Sequence, residues 1–321
     1  VHSNRKGDVM LKYVLKRLGY ILVTLWVIVT CTFFMMKNLP GTPFDAERFS
    51  IMTPQQQERV LEMYGLNDSL PMQYVKYIKN MLKGDLGTSF TYVNQDVSKV
   101  ITGRLGPSAL IGIQAVLIGL AIGLILGILA AWKHNSGIDY FTMILAVLGV
   151  SVPNFVAAAL LQYYIGLKWG VLPVGFWTGW NCSVLPSIAL SFSATAMVAR
   201  FMRTEMLDVL DQDYIVTARA KGLSQMKVLM RHAVRNSILP VVTILGPIVV
   251  NLMTGSLAVE NIFSIPGIGS LFVDCIKAND YPVIMGITIF YAAFYMLIVL
   301  LVDLAYSLID PRIRLAKGKE S

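Results

Sequence analysis

The chain has 321 residues, of which 55% are apolar and 14% charged, and its mean hydropathy is +0.63. A soluble domain carries about 25% charged residues, so the deficit points to a bilayer rather than to a large core surrounded by water. The net charge of +8 is spread along the chain and forms no aromatic-studded basic patch, which argues against a nucleic-acid partner.

Six apolar runs are long enough to cross about 30 Å of hydrocarbon. They cover residues 18–36, 108–132, 140–167, 184–202, 237–258 and 283–308. The expected fold is therefore all-α, a polytopic membrane protein with six transmembrane helices and a small helical insertion outside. The first run leads into Lys37-Asn-Leu-Pro-Gly-Thr-Pro without a small-residue cleavage site, so it reads as a span and not as a removable signal.

Residues 37–107 form the largest piece outside the apolar runs. Helices are expected over 53–64 and 71–83, the first opening on Thr53 and the second on Pro71. The piece is too small to bury much surface alone, so it is read as an extracellular helical cap. The span after it carries Ala115, Gly119, Gly123 and Gly127, a small residue every fourth position, which places a smooth stripe on one helical face for close packing. Pro153 in the third run and Pro240 and Pro247 in the fifth are expected to interrupt their helices. The five-helix part, 108–308, follows the cap.

Orientation follows from the basic residues. With the N-terminus inside, segments 1–17, 133–139, 200–236 and 309–321 hold 17 of the 27 Lys and Arg. Short loops decide topology, so both termini are expected in the cytoplasm. The 203–236 loop contains Asp213-Tyr-Ile-Val-Thr-Ala-Arg-Ala-Lys-Gly222, a short polar stretch between apolar ones. An acid suits the start of a helix, and a glycine suits its end. Ala218 and Ala220 leave the middle nearly bare, so this is read as a docking helix for another protein.

After the fifth run, Val259–Gly269 contains Glu260, Phe263 and Pro266-Gly267. Pro-Gly fits the centre of a type II turn, and Glu260 reads either as a hydrogen-bonded structural acid or, with Phe263, Pro266 and Gly267, as an outer gate. Polar residues at membrane depth are Gln114, Asn154, Gln162, Asn251 and Asp303, the last close to the inner surface. The four amides are candidate pathway-lining residues or interhelical glue, and the acid chains of a proton-coupled carrier are missing.

Catalytic constellations are not found. His2, His134 and His232 have no zinc spacing, and the one Gly-Lys pair, Gly318-Lys319, is followed by Glu320 and not by the Ser or Thr of a phosphate-binding loop. No metal or cofactor is expected in this chain, and it is not read as an enzyme. Cys182 and Cys275 are expected on the same outer side, where a bridge is conceivable and free thiols are the plainer reading.

The stretch from Arg203 to Pro240 resembles the cytoplasmic loop of ABC importer permeases, specifically the dipeptide and oligopeptide group. Glu205-Met-Leu-Asp-Val-Leu, Gln212-Asp-Tyr-Ile-Val-Thr-Ala-Arg-Ala-Lys-Gly-Leu and Arg231-His-Ala-Val-Arg-Asn-Ser-Ile-Leu-Pro carry the likeness. Leu39-Pro-Gly-Thr-Pro, Gly84-Asp-Leu-Gly-Thr-Ser, Glu260-Asn-Ile-Phe-Ser-Ile-Pro-Gly-Ile-Gly, Asp280-Tyr-Pro and Asp310-Pro-Arg-Ile-Arg extend it over about 10–314. Against the wider pattern Glu-Ala-Ala-x3-Gly-x9-Ile-x-Leu-Pro, only Ala218 and Gly222 match in the first part, and His232 replaces Ile. The peptide group is similar in those departures.

The resemblance implies a type I importer in the bacterial plasma membrane. It pairs this permease with a second, homologous permease, two ATP-binding subunits and a lipid-anchored or periplasmic peptide-binding protein. ATP and Mg would be bound by the ATPase subunits. Asp213, Tyr214, Thr217, Ala218, Arg219, Ala220, Lys221 and Gly222 would couple to one ATPase. The first span and cap resemble oligopeptide permeases and the first of their two permease subunits. Dipeptides, glutathione or nickel are alternatives within the family, and an ATP-independent secondary transporter is the remoter one.

Overall fold

In the computed structural model, residues 2–38, 49, 51–63, 65–92, 95–253 and 257–309 are described. The segment 39–43, the side chain of Asp303 and the tail 310–321 lie outside them. The described residues are helical throughout, apart from turns and one isolated antiparallel bridge between Thr88 and Asp96. Helices α1 (His2–Lys37), α2 (Pro54–Met63), α3 (Leu70–Leu82) and α4 (Val97–Trp132) come first. Then follow α5 (Gly137–Ser151), α6 (Asn154–Leu161), α7 (Val184–Leu210), α8 (Asp213–Ala220) and α9 (Gln225–Val228). Helices α10 (Arg235–Met253), α11 (Leu257–Ile262), α12 (Ile268–Lys277) and α13 (Tyr281–Ile309) complete the chain. Five helices are long and apolar enough to span a membrane, and the bent pair formed by Gly137–Ser151 and Asn154–Lys168 makes up to six. The chain divides into two compact units, 1–106 with 271–296 and 107–270 with 297–321.

In the first unit, local sequence signals set the cap helices. Thr53 and Gln56 form a reciprocal capping box: the Thr53 N–H donates to Gln56 Oε1 (2.9 Å) and the Gln56 N–H to Thr53 Oγ1 (3.4 Å). Gly65, at φ +64°, closes α2 in the left-handed conformation that glycine adopts freely. Pro71 sits in the first turn of α3, where its missing N–H is no loss. Tyr74 and Tyr77 of α3 pack on Phe33 of α1 with ring centroids 5.4 and 5.9 Å away, and the Tyr74 hydroxyl bonds Thr30 Oγ1 at 2.7 Å. The fully buried Asp280 ties the Gly84–Ser89 segment to the start of α13. Its Oδ2 accepts from Ser89 Oγ (2.5 Å) and the Thr91 N–H (3.0 Å). Two motifs about 190 residues apart thus meet at one carboxylate.

In the second unit, the small-residue stripe does what its spacing predicts. A β-carbon at Gly119 or Gly123 would lie 2.7 Å from the β-carbon of Ala194 or Val198, and one at Gly127 would lie 2.6 Å from the Ala199 carbonyl. Helices α4 and α7 therefore touch backbone to backbone, and any side chain there would push them apart. Ala115, Ala194, Val198 and Met202 belong to the core of this unit, along with Leu185, Leu190 and Phe263.

The third apolar run is not a single straight span. Helix α5 ends at Ser151, Val152 is extended at φ −82° and ψ 118°, and α6 leaves at 100° to α5. Proline forces its predecessor out of the helical region and cannot donate to the preceding turn. The fifth run behaves otherwise: α10 continues through both Pro240 and Pro247. A wide π-type turn over Leu229–Val234 precedes it, and Ser237 Oγ donates to the carbonyls of Ala233 (2.9 Å) and Glu205 (3.2 Å).

Candidate coupling loop, outer turn and pathway residues

Helix α8 begins after Gln212, whose backbone is extended at φ −77° and ψ 146°, and carries Asp213 in its first turn. A carboxylate there meets the exposed N–H groups and the positive end of the dipole. Gly222 ends the segment at φ +77°, with its N–H on the Arg219 carbonyl at 2.9 Å. Both terminal expectations hold.

The middle of the helix is turned differently from the expectation. Ile215 and Ala218, three residues apart on one face, are buried against Val228, with Val209 and Leu210 alongside. Ala218 is therefore an inward packing residue and not part of a bare outer face. The exposed face carries Asp213, Tyr214, Val216, Thr217, Arg219, Ala220 and Lys221. Asn236 Nδ2 donates to the Tyr214 hydroxyl at 3.2 Å and to the His232 carbonyl at 2.9 Å, bracing α8 against the base of α10.

A buried ion pair that sequence reading did not find fixes the nearby ends of α5 and α7. Arg203 grips Asp139 with two parallel bonds, Nε to Oδ1 at 2.5 Å and Nη2 to Oδ2 at 2.8 Å. Oδ2 also accepts the Asn135 N–H at 3.0 Å, and His134 Nδ1 lies 3.2 Å from it. The Asp139 side chain is 2% exposed. The only signal in the sequence was a lone acid, Asp139, in the 133–139 segment that belongs to the basic face.

The loop after α10 centres on Glu260, which is 1% exposed. Its Oε1 accepts from Ser108 Oγ at 2.7 Å and its Oε2 from the Ser270 N–H at 3.0 Å, while Ser108 Oγ itself accepts the Ile268 N–H at 2.8 Å. Burial pushes the Glu260 carboxyl above its usual range, and the bonds from Ser108, Ser270 and Gly269 partly restore it. These bonds are the ones the structural-acid reading of Glu260 expects. The expected type II turn at Pro266-Gly267 is absent, because Gly267 does not take the positive φ that turn requires. Glycine is needed there for space: a β-carbon would collide with the Glu260 carboxylate and lie 2.5 Å from Ser108 Oγ. Phe263 is fully buried in the core, and Pro266 is half-buried beside it in sequence.

The four amides sit in different surroundings. Both amide hydrogens of Gln162 are committed, to the carbonyls of Val174 (2.6 Å) and Ile262 (2.7 Å). Gln114 Oε1 accepts from Ser187 Oγ at 2.9 Å. Asn154 is half-buried in the first turn of α6 and Asn251 is exposed on α10. Cys31, Cys182 and Cys275 are free thiols, and burial, with help from Asp280 and Asp274, pushes the Cys275 thiol up to about 12.

Comparison with known proteins finds relatives in sequence over nearly the whole chain. The dipeptide transport system permease protein DppB of Lactococcus lactis is 46% identical over 306 residues, 95% of this chain and 100% of the relative. DppB of Bacillus subtilis is 43% identical, over 96% of this chain and 99% of the relative. The oligopeptide transport system permease protein OppB of Salmonella typhimurium is 39% identical, over 95% of this chain and 100% of the relative. Among solved structures, an amino acid ABC transporter crystallised with histidines superposes with a TM-score of 0.50 at 19% identity, over 67% of this chain and 94% of that one. The MetNI methionine ABC transporter in inward-facing form gives 0.53 at 14% identity, over 65% and 94%. These two show a shared fold. Residues 10–107 match the N-terminal membrane component of binding-protein-dependent transport systems, and residues 123–315 match the inner membrane component of the same systems. The chain belongs to the family of inner membrane components of binding-protein-dependent transport systems.

Proposed function

We propose that this chain is a transmembrane permease subunit of an ATP-driven peptide importer in the bacterial plasma membrane, with both termini in the cytoplasm. The observation that carries the reading is the near full-length identity, 46% over 95% of the chain, to a permease named for dipeptide transport. Its partners are a second permease, two ATPase subunits that bind ATP and Mg, and an extracellular peptide-binding protein. The first span and cap favour oligopeptides as substrate. A second reading, dipeptides, is favoured by the higher identities to the two dipeptide permeases than to the oligopeptide ones. Competition of labelled-peptide uptake by dipeptides and by longer peptides separates them.

In this reading the exposed face of α8 meets a groove on one ATPase. Tyr214, Thr217, Ala220 and Lys221 make the contact, while Ile215 and Ala218 anchor the helix to its own loop. Gln114, Asn154, Gln162 and Asn251 are the candidate amides for lining a pathway, and Gln114 and Gln162 also hold helices and loops in place. The test is co-purification of the ATPase with the assembled transporter. Ala220→Glu places an unpaired charge in the contact and is expected to lower ATPase recovery by about tenfold or more at unchanged thermal stability of the permease. Ala218→Glu is expected to destabilise the loop itself. Full ATPase recovery and uptake with Ala220→Glu would remove α8 from the coupling role.

A further inference from the structure

The segment between the π-type turn Gln162–Lys168 and α7 presents its largest side chains outward. Trp180 is 75% exposed, Val171 68%, Phe176 66% and Trp169 64%. Such exposure on a soluble loop would be an aggregation hazard or a docking surface. This loop is also free of charge: from Trp169 to Ala199 there is no Asp, Glu, Lys or Arg. The 37–104 piece, by contrast, carries eight basic and seven acidic residues. A surface facing water, or a soluble partner's polar rim, carries charge at its edges.

Several backbone groups of the same loop are paired within the protein. The Phe176 N–H donates to the Phe263 carbonyl at 2.8 Å, and the Val171 N–H to the Ile165 carbonyl at 3.1 Å. Gln162 covers the Val174 carbonyl, and Ser183 Oγ donates to the Trp180 carbonyl at 2.6 Å. Phe176 is held at φ +66°, a left-handed conformation that a bulky residue adopts only when its surroundings impose it. Irregular backbone survives near hydrocarbon only when its polar groups are paired inside the protein. Trp169 and Tyr164 also line a groove of about 860 Å³ whose walls are aliphatic and aromatic, among them Ile122, Leu145, Leu160 and Phe192. Lys168 lies 5.6 Å from the Tyr164 ring, at the same rim.

We infer that the loop 169–183 is a membrane-interface element, with Trp169, Phe176 and Trp180 seated at the boundary of headgroups and acyl chains. Aromatic side chains favour this depth because the ring is apolar and the indole N–H still finds a polar partner. Lys168 reaches lipid phosphate from the same rim, and lipid tails fill the apolar groove. The loop thereby fixes the depth of the third and fourth spans in the bilayer. This rests only on residence in a membrane and is independent of the substrate.

The experiment is tryptophan quenching on the assembled transporter in vesicles of phosphatidylcholine and phosphatidylglycerol. Subtracting the emission of Trp169→Phe or Trp180→Phe from that of the parent isolates each indole. Phosphatidylcholine brominated near the headgroup end of its chains is expected to quench the isolated signal about twofold more than lipid brominated near the chain ends. Aqueous iodide is expected to quench it less than it quenches free tryptophan. No quenching by any brominated lipid at both positions would overturn the assignment, whatever iodide does. Protection from iodide by an added peptide-binding protein in that case would make the loop a protein-docking surface. Uptake measured on the same vesicles reports the import reading separately.

Discussion

Two carboxylates in the second unit are buried to the same degree and held by opposite means. Asp139 keeps its charge against the guanidinium of Arg203, with His134 and a backbone N–H completing the site. Glu260 has no cation bonded to it among the described residues and is surrounded by the hydroxyl of Ser108 and backbone N–H groups. The first site joins the ends of α5 and α7 beside the basic loop. The second folds the segment 257–270 onto the early turns of α4. A buried carboxylate paired with a cation is worth most when both members are present, and loss of one leaves the other stranded. A carboxyl solvated by neutral donors tolerates neutralisation but not a change of shape. The ends of α5 and α7 are thus braced by charge and the loop after α10 by packing.

Breaking the charged brace should have the largest effect. Asp139→Ala leaves Arg203 without its two bonds, and loss of one partner from a buried pair costs about 3–5 kcal/mol. The Arg203 side chain is 21% exposed, so water recovers part of the loss and the lower end of that range is expected. Thermal unfolding of the purified permease measures it. Adding Arg203→Leu should restore part of the stability, because the double variant no longer buries an unpaired charge. If the two substitutions proved additive, Arg203 and Asp139 would be independent surface groups, and the contrast with Glu260 would fall.

The packing brace is tested at Gly267. Its φ is unexceptional, so alanine brings no backbone strain and the whole effect is steric. The added methyl would strike the Glu260 carboxylate and crowd Ser108 Oγ, and overpacking of this kind costs about 1–3 kcal/mol. Gly222 is the reverse case, with φ +77° and open space around it. Alanine there is expected to cost about 1–2 kcal/mol through the left-handed backbone alone. Combining Gly267→Ala with Glu260→Ala should relieve most of the loss at 267, while Gly222→Ala should respond to no side-chain change nearby. Melting temperatures of the three variants decide between the two causes.

Much of this architecture is legible in the sequence because its signals are local or periodic. Apolar length marks the spans, Thr53 marks a helix start, and the four-residue spacing of Gly119, Gly123 and Gly127 marks a close helix contact. What sequence could not supply depends on direction or distance. Alanine at 218 suits an outer contact face and an inner packing face equally, and only the neighbours Ile215 and Val228 settle which way it turns. The Asp139–Arg203 pair joins residues 64 apart, and Asp280 serves hydroxyl and amide donors about 190 residues earlier. Gly267 suggested a turn by its place after proline, yet the glycine is there for room. Pro153 marked a break without its size, which the packing of α5 and α6 against α7 sets.

The smallest effect, and the sharpest, lies in replacing Glu260 by glutamine. The shape is kept, but an amide presents its NH2 to one of the donors that the carboxylate served, leaving that donor unpaired at about 1 kcal/mol. The informative quantity is the dependence on pH. Because burial raises the Glu260 carboxyl above its ordinary 4.5, the folded protein holds this proton more tightly than the unfolded chain. Its contribution to stability is fully present below pH 4.5 and is lost as pH rises through the raised value. The substituted amide cannot titrate, so the stability of the parent relative to Glu260→Gln should fall across that window and level off above it. Other carboxyls cancel in the difference. A difference that rose with pH would mean that the carboxylate is held in its charged form, as Asp139 is by Arg203, and that a cation reaches this site after all.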